Sequence, residues 1–172
     1  MLLRAIQPEN PSDVAFLGQM LVEAVNWSPD RSRLALNDVL AEPHHNRYVH
    51  GWGRRGDGGV IAEEAGGRVG ACWYRLFPAD EPGYGFVDEA TPELGIAVVA
   101  DRRRRGVGRA LLGAALSDAA SAGFAAISLS VEPDNPSRLL YAQFGFVQVG
   151  MVEGSWTMRA ELLQQPKRRA SP

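Results

Sequence analysis

The chain has 172 residues, of which 45% are hydrophobic and 22% are charged, and its formal net charge at pH 7 is −2. These proportions are typical of a folded domain that can enclose a core without metal or disulfide support. The slightly acidic balance argues against general nucleic-acid affinity, and the single cysteine, Cys72, excludes an intrachain disulfide. We predict a cytoplasmic protein without a membrane segment, since no stretch has the apolar length of a signal peptide or a transmembrane helix.

The first part of the chain predicts a strand, two helices and a polar loop. Residues 2–6 form the strand, and Ser12 is placed to cap a helix with apolar residues at helical spacing after it. A second, shorter helix over residues 34–40 ends by Pro43.

The polar loop over residues 44–59 contains all three histidines of the chain. No carboxylate or cysteine stands among them at the spacing of a metal site, so we predict a solvated loop and no bound metal. Tyr48 and Trp52, in the same loop, are candidates for the wall of a small-molecule pocket.

A hairpin and a long acidic loop follow. Residues 60–64 and 69–76 flank two glycines, which is the pattern of a β-hairpin. Residues 77–92 form a loop whose length is unusual in a compact domain unless it has a function. Its acidic and aromatic side chains would suit a cationic amine, and a solvated insertion explains them equally well. These side chains are Asp80, Glu81, Tyr84, Phe86, Asp88 and Glu89.

The most informative stretch begins at Glu93. Alternation over residues 94–98 predicts a strand, and an apolar run over residues 107–122 with a polar residue at every fourth position predicts a helix buried against a sheet. Between them lie four consecutive arginines and two glycines, Gly106 and Gly108. A glycine turn that opens a helix exposes unpaired N–H groups at the positive end of the helix dipole, which suits a phosphate.

This turn matches neither of two common phosphate loops. The lysine and hydroxyl residue of a Walker loop are replaced by Arg109-Ala110, and the third glycine of the dinucleotide fingerprint is replaced by Leu111. The pattern that fits is Arg103-x-x-Gly106-x-Gly108, which resembles the acyl-CoA pyrophosphate loop of the GNAT superfamily, the acyl-CoA-dependent N-acetyltransferases. An arginine-rich surface turn is the competing explanation of this turn taken alone.

A second motif follows the next predicted strand, residues 124–131. The run Asn135-Pro136-x-x-x-Leu140-Tyr141-x-x-Phe144-Gly145-Phe146 resembles the GNAT segment Asn-Pro-x-x-x-Leu-Tyr-x-x-x-Gly-Phe. An asparagine offers a donor and an acceptor to a pantetheine amide, and a tyrosine can protonate a leaving thiolate. Singly, Asn135 could be a turn residue and Tyr141 a core aromatic, but the two motifs together favour the family.

The resemblance implies a fold. It predicts a single α/β (α+β) domain over residues 1–163, with a mixed, mostly antiparallel sheet of six to seven strands and about four flanking helices. Strands four and five, residues 94–99 and 125–131, would start side by side and then splay. Two further strands would complete the sheet, and residues 164–172 would be a flexible tail.

The resemblance also implies an activity, the transfer of an acetyl group from acetyl-CoA to an amine by direct attack in a ternary complex, without a metal. Glu93 would be the general base and Tyr141 the general acid, although a charge at a strand end can also be merely solvated. The residues expected to bind acetyl-CoA are Ile96, Val98, Arg103, Arg104, Gly106, Val107, Gly108, Arg109, Asn135 and Ser137.

Two other functions compete with this one. A non-catalytic acyl-CoA-binding or sensor module would keep the turn without the chemistry. A nucleic-acid-binding protein would use arginines 102–105, but interleaved aromatic residues are missing, so we predict no nucleic-acid partner. The sequence leaves the identity of the acceptor amine open, and the resemblance allows a homodimer.

Overall fold

The structure, a computed structural model, describes residues 1–162, which contain seven strands, five α-helices and a short 3₁₀ turn, Ala100–Arg102. The strands are β1 Leu2–Ala5, β2 Gly58–Glu64, β3 Gly67–Arg75, β4 Glu93–Val98, β5 Ala126–Val131, β6 Val147–Val152 and β7 Ser155–Glu161. The helices are α1 Pro11–Val25, α2 Leu36–Ala41, α3 Pro43–Asn46, α4 Val107–Ser121 and α5 Ser137–Gln143.

The strands form one sheet in the order β1-β2-β3-β4-β5-β7-β6. Neighbouring strands are antiparallel except β4 and β5, which are parallel. These two strands share a single residue pair, Glu93 with Ser128, and then separate, whereas β4 pairs with β3 along its whole length. The predicted mixed sheet with a splay between its fourth and fifth strands is therefore confirmed.

Helices cover both faces of the sheet, because successive side chains of a strand point to opposite faces. α1 and α2 pack on one face over Ile61 and Trp73, and α4 and α5 pack on the other over Val60 and Cys72. Cys72 is a buried strand residue, and burial raises the pKa of its thiol, so it is not an activated nucleophile.

Two local predictions in the first part of the chain are wrong. α1 is capped by Asn10 rather than Ser12, since Asn10 Oδ1 accepts the Ser12 N–H at 3.0 Å. An additional short helix that the sequence did not predict, α3, forms at the start of the predicted solvated loop. It forms because proline suits the first turn of a helix and Glu42 accepts a backbone N–H there.

A buried ion pair anchors the segment between α3 and β2. Arg75 Nη2 lies 2.6 Å from Asp57 Oδ2, and both side chains are almost completely buried. The same guanidinium donates to the carbonyl oxygens of Arg47 and His50, at 2.7 Å each. Because these two carbonyls flank Tyr48, Arg75 holds the turn after α3 against β3 and so determines where Tyr48 lies.

No helix within residues 1–162 is long and apolar enough to cross a membrane. In the same range, no three His, Cys, Asp or Glu side chains come together in a way that could hold a metal ion. The predicted tail, residues 164–172, lies outside the described part of the chain.

Candidate active site

The separation of β4 from β5 opens a cleft of about 1020 Å³, with walls from α1, β4, the turn before α4, the end of β5 and α5. One end, which we call the basic end, is lined by Arg103, Arg104, Gly106, Gly108 and Arg109. The other, which we call the aromatic end, is lined by His45, Tyr48, Trp73 and Tyr84 around Glu93.

The edge of β4 that faces the gap is unpaired beyond its first residue within the described part of the chain. The Val99 N–H donates to the Val69 carbonyl of β3 at 3.0 Å. Backbone groups alternate sides along a strand, so those of Ile96 and Val98 point away from β3 and into the gap. Arg103 Nε donates to the Val98 carbonyl oxygen at 2.9 Å, and the N–H groups of Ile96 and Val98 face the cleft.

The turn before α4 has the geometry of an anion site. Gly106 precedes the helix with φ 85°, a left-handed conformation that glycine adopts without strain. No side chain in residues 1–162 caps α4, so the N–H groups of residues 107–109 point outward from its first turn. A Cβ at Gly108 would touch only the side chains of Leu140 and Val98, both at 3.9 Å, so a ligand can approach the backbone there.

The arginines of the turn do not all face a ligand. Arg103 binds the protein itself, since its Nη2 lies 2.7 Å from Glu23 Oε2 of α1. Arg102 pairs with carboxylates that do not line the cleft. Arg104 and Arg109 are exposed at the cleft, where Arg109 also donates to Gln143 Oε1 and lies over the ring of Phe144. Both guanidinium groups are placed to add positive charge to a bound anion.

The segment that opens α5 brings Asn135 to the cleft, and the helix itself brings Tyr141. Asn135 Oδ1 accepts the Ser137 N–H at 2.9 Å, so the side chain starts the helix, and its NH₂ group has the chemistry to donate to a ligand. Tyr141 is 7% exposed and packs on Phe146, with ring centres 5.9 Å apart. Burial raises the pKa of Tyr141, so its hydroxyl is protonated at neutral pH and can serve as a proton donor.

Glu93 is buried at the aromatic end and is 2% exposed. Its Oε1 accepts two hydrogen bonds, from the Tyr48 hydroxyl at 2.6 Å and from the Gly85 N–H at 2.8 Å. Its Oε2 has no hydrogen-bond partner within residues 1–162. Burial raises the pKa of Glu93 to about 7, although the bonds from Tyr48 and Gly85 favour the carboxylate. The alternative of a merely solvated strand-end charge does not hold.

Glu93 and Tyr141 lie on opposite faces of the sheet. Tyr141 belongs to the core under α4 and α5, whereas Glu93 is bonded to Tyr48, a member of the core under α1 and α2. Both line the same cleft, because the gap between β4 and β5 passes through the sheet. A reactant in this gap would therefore meet a carboxylate on one side and a phenol on the other.

All residues predicted for the site line the cleft except Val107, whose side chain is buried under α4. Tyr48 lines it too, as suggested, but sequence reasoning did not connect Tyr48 with Glu93, 45 positions away. Trp52 does not line the cleft and instead packs over Arg75, with 5.3 Å between the guanidinium carbon and the ring centre. No local sequence signal distinguishes these two aromatic residues.

The acidic residues of the loop before β4 are not gathered at the cleft. Asp80, Glu81, Asp88 and Glu89 are all exposed, and none of them lines it. Asp88 and Glu89 accept backbone N–H groups of their own loop. Of the acidic and aromatic side chains expected there, only Tyr84 reaches the cleft, so the expected field of carboxylates around an amine is wrong.

Comparison with known proteins agrees with this geometry. The chain is 32% identical over 149 residues to the mycothiol acetyltransferase of Amycolatopsis mediterranei (strain U-32), a match that covers 85% of the chain and 46% of that protein. The chain thus spans about half the length of this relative.

Solved structures share the fold. A ribosomal-protein-alanine N-acetyltransferase from Brucella melitensis superimposes with a TM-score of 0.67 at 22% identity, covering 94% of this chain and 100% of that one. The structure of yncA from Salmonella typhimurium with its cofactor acetyl-CoA superimposes with a TM-score of 0.63 at 20% identity, covering 99% of both chains. The sequence model of the acetyltransferase (GNAT) family matches residues 19–146, most of the chain, and the protein therefore belongs to this family.

Proposed function

We propose that the protein is an N-acetyltransferase, which transfers the acetyl group of acetyl-CoA to an amine by direct attack in a ternary complex. The observation that carries this proposal is the gap through the sheet with Glu93 on one face and Tyr141 on the other. Family membership supports the acyl donor.

The basic end fits the pyrophosphate of acetyl-CoA. Outward N–H groups at the start of a helix and the helix dipole both favour a phosphate, and residues 107–109 supply them here. Gly106 and Gly108 let the backbone approach the ligand, and Arg104 and Arg109 add charge from the rim. Val107 would contribute only its backbone, since its side chain is in the core.

The unpaired edge of β4 fits the pantetheine arm, whose amides would replace a neighbouring strand. Ile96 and Val98 would offer N–H groups from one wall, and Asn135 and Ser137 would complete the opposite wall. Arg103 would support the site without contacting the ligand, because its guanidinium donates both to the Val98 carbonyl oxygen and to Glu23 of α1.

Proton transfers at Glu93 and Tyr141 complete the proposed reaction. An acceptor amine has an ordinary pKa of about 10.4 and arrives protonated. Glu93 takes this proton, directly or through a water, so that the nitrogen can attack the thioester carbonyl. Tyr141 donates its proton to the sulfur as the carbon–sulfur bond breaks, and the second proton that the nitrogen loses as the amide forms restores the Tyr141 phenol. The amide and free coenzyme A are the products, and no covalent acyl-enzyme is required.

The aromatic end suggests an acceptor with one positive charge and an apolar or aromatic body. Of the carboxylates that line the cleft, Glu23 and Glu132 are paired with arginines, whereas Glu93 has no ion pair within residues 1–162. Tyr84 and His45 are partly exposed there, and a flat or apolar group could pack against them.

Two broader assignments are also proposals. A cytoplasmic location is favoured by a lone, buried, unpaired cysteine. A homodimer is favoured by β6, an edge strand on which Val147, Val149 and Met151 are exposed.

A thiol-release assay with acetyl-CoA and a panel of acceptors tests the proposed function. The panel contains arylalkylamines, short alkylamines, polyamines and peptides with a free amino terminus. We expect the highest kcat/KM for an amine with one charge next to an apolar or aromatic group. If acetyl-CoA raises the melting temperature but no amine accelerates thiol release, the protein is a non-catalytic acyl-CoA-binding module.

A further inference from the structure

One backbone N–H and one side-chain hydroxyl converge on a single oxygen of Glu93. The Tyr48 hydroxyl donates to Oε1 at 2.6 Å, and the Gly85 N–H donates to the same atom at 2.8 Å. The Tyr48 hydroxyl in turn accepts the Tyr84 N–H at 2.7 Å. This chain of donors polarises the Tyr48 O–H toward the carboxylate, and it leaves Oε2 without a partner in residues 1–162.

The fold fixes the ring of Tyr48 before any ligand arrives. Tyr48 is 7% exposed, and it packs edge-on against Phe77 with ring centres 5.0 Å apart. Tyr84 lies parallel to it at 6.2 Å. The bonds from Arg75 to the carbonyls on either side hold its backbone. A ring held by packing and by its backbone can direct its hydroxyl without further loss of entropy.

We propose that Tyr48 is a positioning residue for the reaction, which holds Oε1 of Glu93 so that Oε2 is the atom that takes the proton of the acceptor amine. This inference rests on the proposed function, in which Glu93 is the base. A carboxylate bonded at both oxygens would be a weaker acceptor, and one bonded at neither could rotate.

The other charged or polar groups near Glu93 cannot replace Tyr48. Arg47, at the end of α3, lowers the pKa of Glu93 less than the Tyr48 bond does. From β3, Arg75 is opposite Glu93 in register but is bonded to Asp57. From β5, Ser128 pairs with Glu93 in register, but its buried hydroxyl has no hydrogen-bond partner within residues 1–162.

Two further groups belong to the aromatic end. His45 lines it, and burial lowers the pKa of its ring, which is therefore neutral above pH 7. Burial also raises the pKa of Tyr84, so its hydroxyl remains neutral, and its contact with Tyr48 is made by the backbone N–H.

The test is the pH dependence of kcat/KM, measured with the same acceptor amine throughout. The ionisation of the amine then affects the pH profile of every variant equally. Tyr48→Phe keeps the ring but removes the bond that favours the carboxylate, so we expect the acid-side midpoint assigned to Glu93 to rise by about one unit. Tyr74→Phe is the matched control. It also removes a buried hydroxyl bonded to a carboxylate, Asp118 at 2.8 Å, but Tyr74 does not line the cleft.

Tyr48→3-fluorotyrosine gives a second measurement if Tyr48→Phe folds poorly. The fluorinated phenol is a stronger donor, so the midpoint should move down rather than up. An unchanged midpoint in either folded variant overturns the inference, as does an equal shift in Tyr74→Phe.

The background Glu93→Gln separates this inference from the proposed function. If Glu93 is the base, Glu93→Gln alone lowers turnover, and adding Tyr48→Phe to it changes turnover little further. Full turnover in Glu93→Gln would show that Glu93 is not the base, and it would overturn the proposed role of Tyr48 as well. Reduced turnover in Glu93→Gln with a normal profile in Tyr48→Phe would overturn the role of Tyr48 alone.

Discussion

The two ends of the cleft are built in different ways. The basic end comes from one short continuous segment, the turn at residues 103–109, and it uses mostly backbone groups near the surface. The aromatic end is assembled around one buried carboxylate by partners 45 and 8 positions away along the chain. The proposed site for the acyl donor is therefore built from residues close together in the sequence, whereas the proposed site for the acceptor depends on how distant segments pack.

The two ends also differ in their electrostatics. At the basic end, arginines and helix N–H groups remain near water, where charges are screened. At the aromatic end, burial raises the pKa of Glu93 to about 7, and one of its oxygens has no hydrogen-bond partner within residues 1–162. The basic end is thus suited to binding and the aromatic end to proton transfer. Separate mutations should therefore abolish one property without the other.

The largest expected effect is at the basic end. Gly108→Asp puts a carboxylate among N–H groups placed for phosphate, so acetyl-CoA should no longer raise Tm, whereas it should raise that of the unmodified protein by roughly 5–10 °C at about a hundredfold excess over Kd. The fold should tolerate the change, because a Cβ there meets only side chains at 3.9 Å and acid suits a helix start. Gly108→Asn is the uncharged control. A Gly108→Asp protein still stabilised by acetyl-CoA would place the pyrophosphate elsewhere.

Tyr141→Phe should separate binding from chemistry. The ring and its contact with Phe146 remain, so acetyl-CoA binding should persist, while turnover should fall by roughly 10²–10⁴-fold because the thiolate loses its proton donor. Rapid-quench kinetics of the chemical step would measure this. Turnover within a few-fold of the unmodified enzyme, with chemistry limiting, would assign the proton to another donor.

Glu93→Gln should show that the aromatic end lowers the stability of the fold. Glu93 has a pKa of about 7 in the native state against an ordinary 4.5, so between these values the native protein keeps a proton that the unfolded chain has lost. The free energy of unfolding therefore falls as pH rises through this window, by up to about 3 kcal/mol. Glutamine does not titrate, so the free energy of unfolding of Glu93→Gln does not fall in this way. Compared with the unmodified protein, the variant should have a higher Tm at pH 8 and a similar Tm near pH 4.

Melting curves across pH measure this difference, with Glu89→Gln as the exposed-carboxylate control. A Tm difference between Glu93→Gln and the unmodified protein that stays constant from pH 4 to pH 8 would contradict a raised pKa of Glu93.

The smallest effect is expected outside the cleft. Asp80→Asn with Glu81→Gln removes two exposed charges that do not line the site, and kcat/KM should change by no more than about twofold at physiological ionic strength. Steady-state assays at low and at moderate salt would detect any long-range electrostatic attraction of the acceptor by these two carboxylates. A large loss at moderate salt would show that the loop carboxylates contact the acceptor.

The accuracy of the sequence predictions follows the same division. Hydrophobic alternation and the glycine pattern placed β4 and α4, because each depends on neighbours within a few positions. The same reasoning misassigned the start of the loop after Pro43, where a capping carboxylate turned a polar stretch into α3. The same reasoning also placed the acidic side chains of the loop before β4 around an amine, but none of them lines the cleft. Nearness in sequence does not say which way a loop side chain points.

The sequence by itself determined the family, the mixed sheet and the residues of the basic end, since these depend on short motifs with a local physical purpose. Only the tertiary structure decided what surrounds Glu93. Its burial, its bonds to Tyr48 and Gly85 and the lack of a partner for its buried Oε2 in the described part of the chain arise where the turn after α3 and the loop before β4 pack against the sheet. The pKa of a carboxylate depends on how completely water is excluded and on which donors remain, and both are properties of the packed fold.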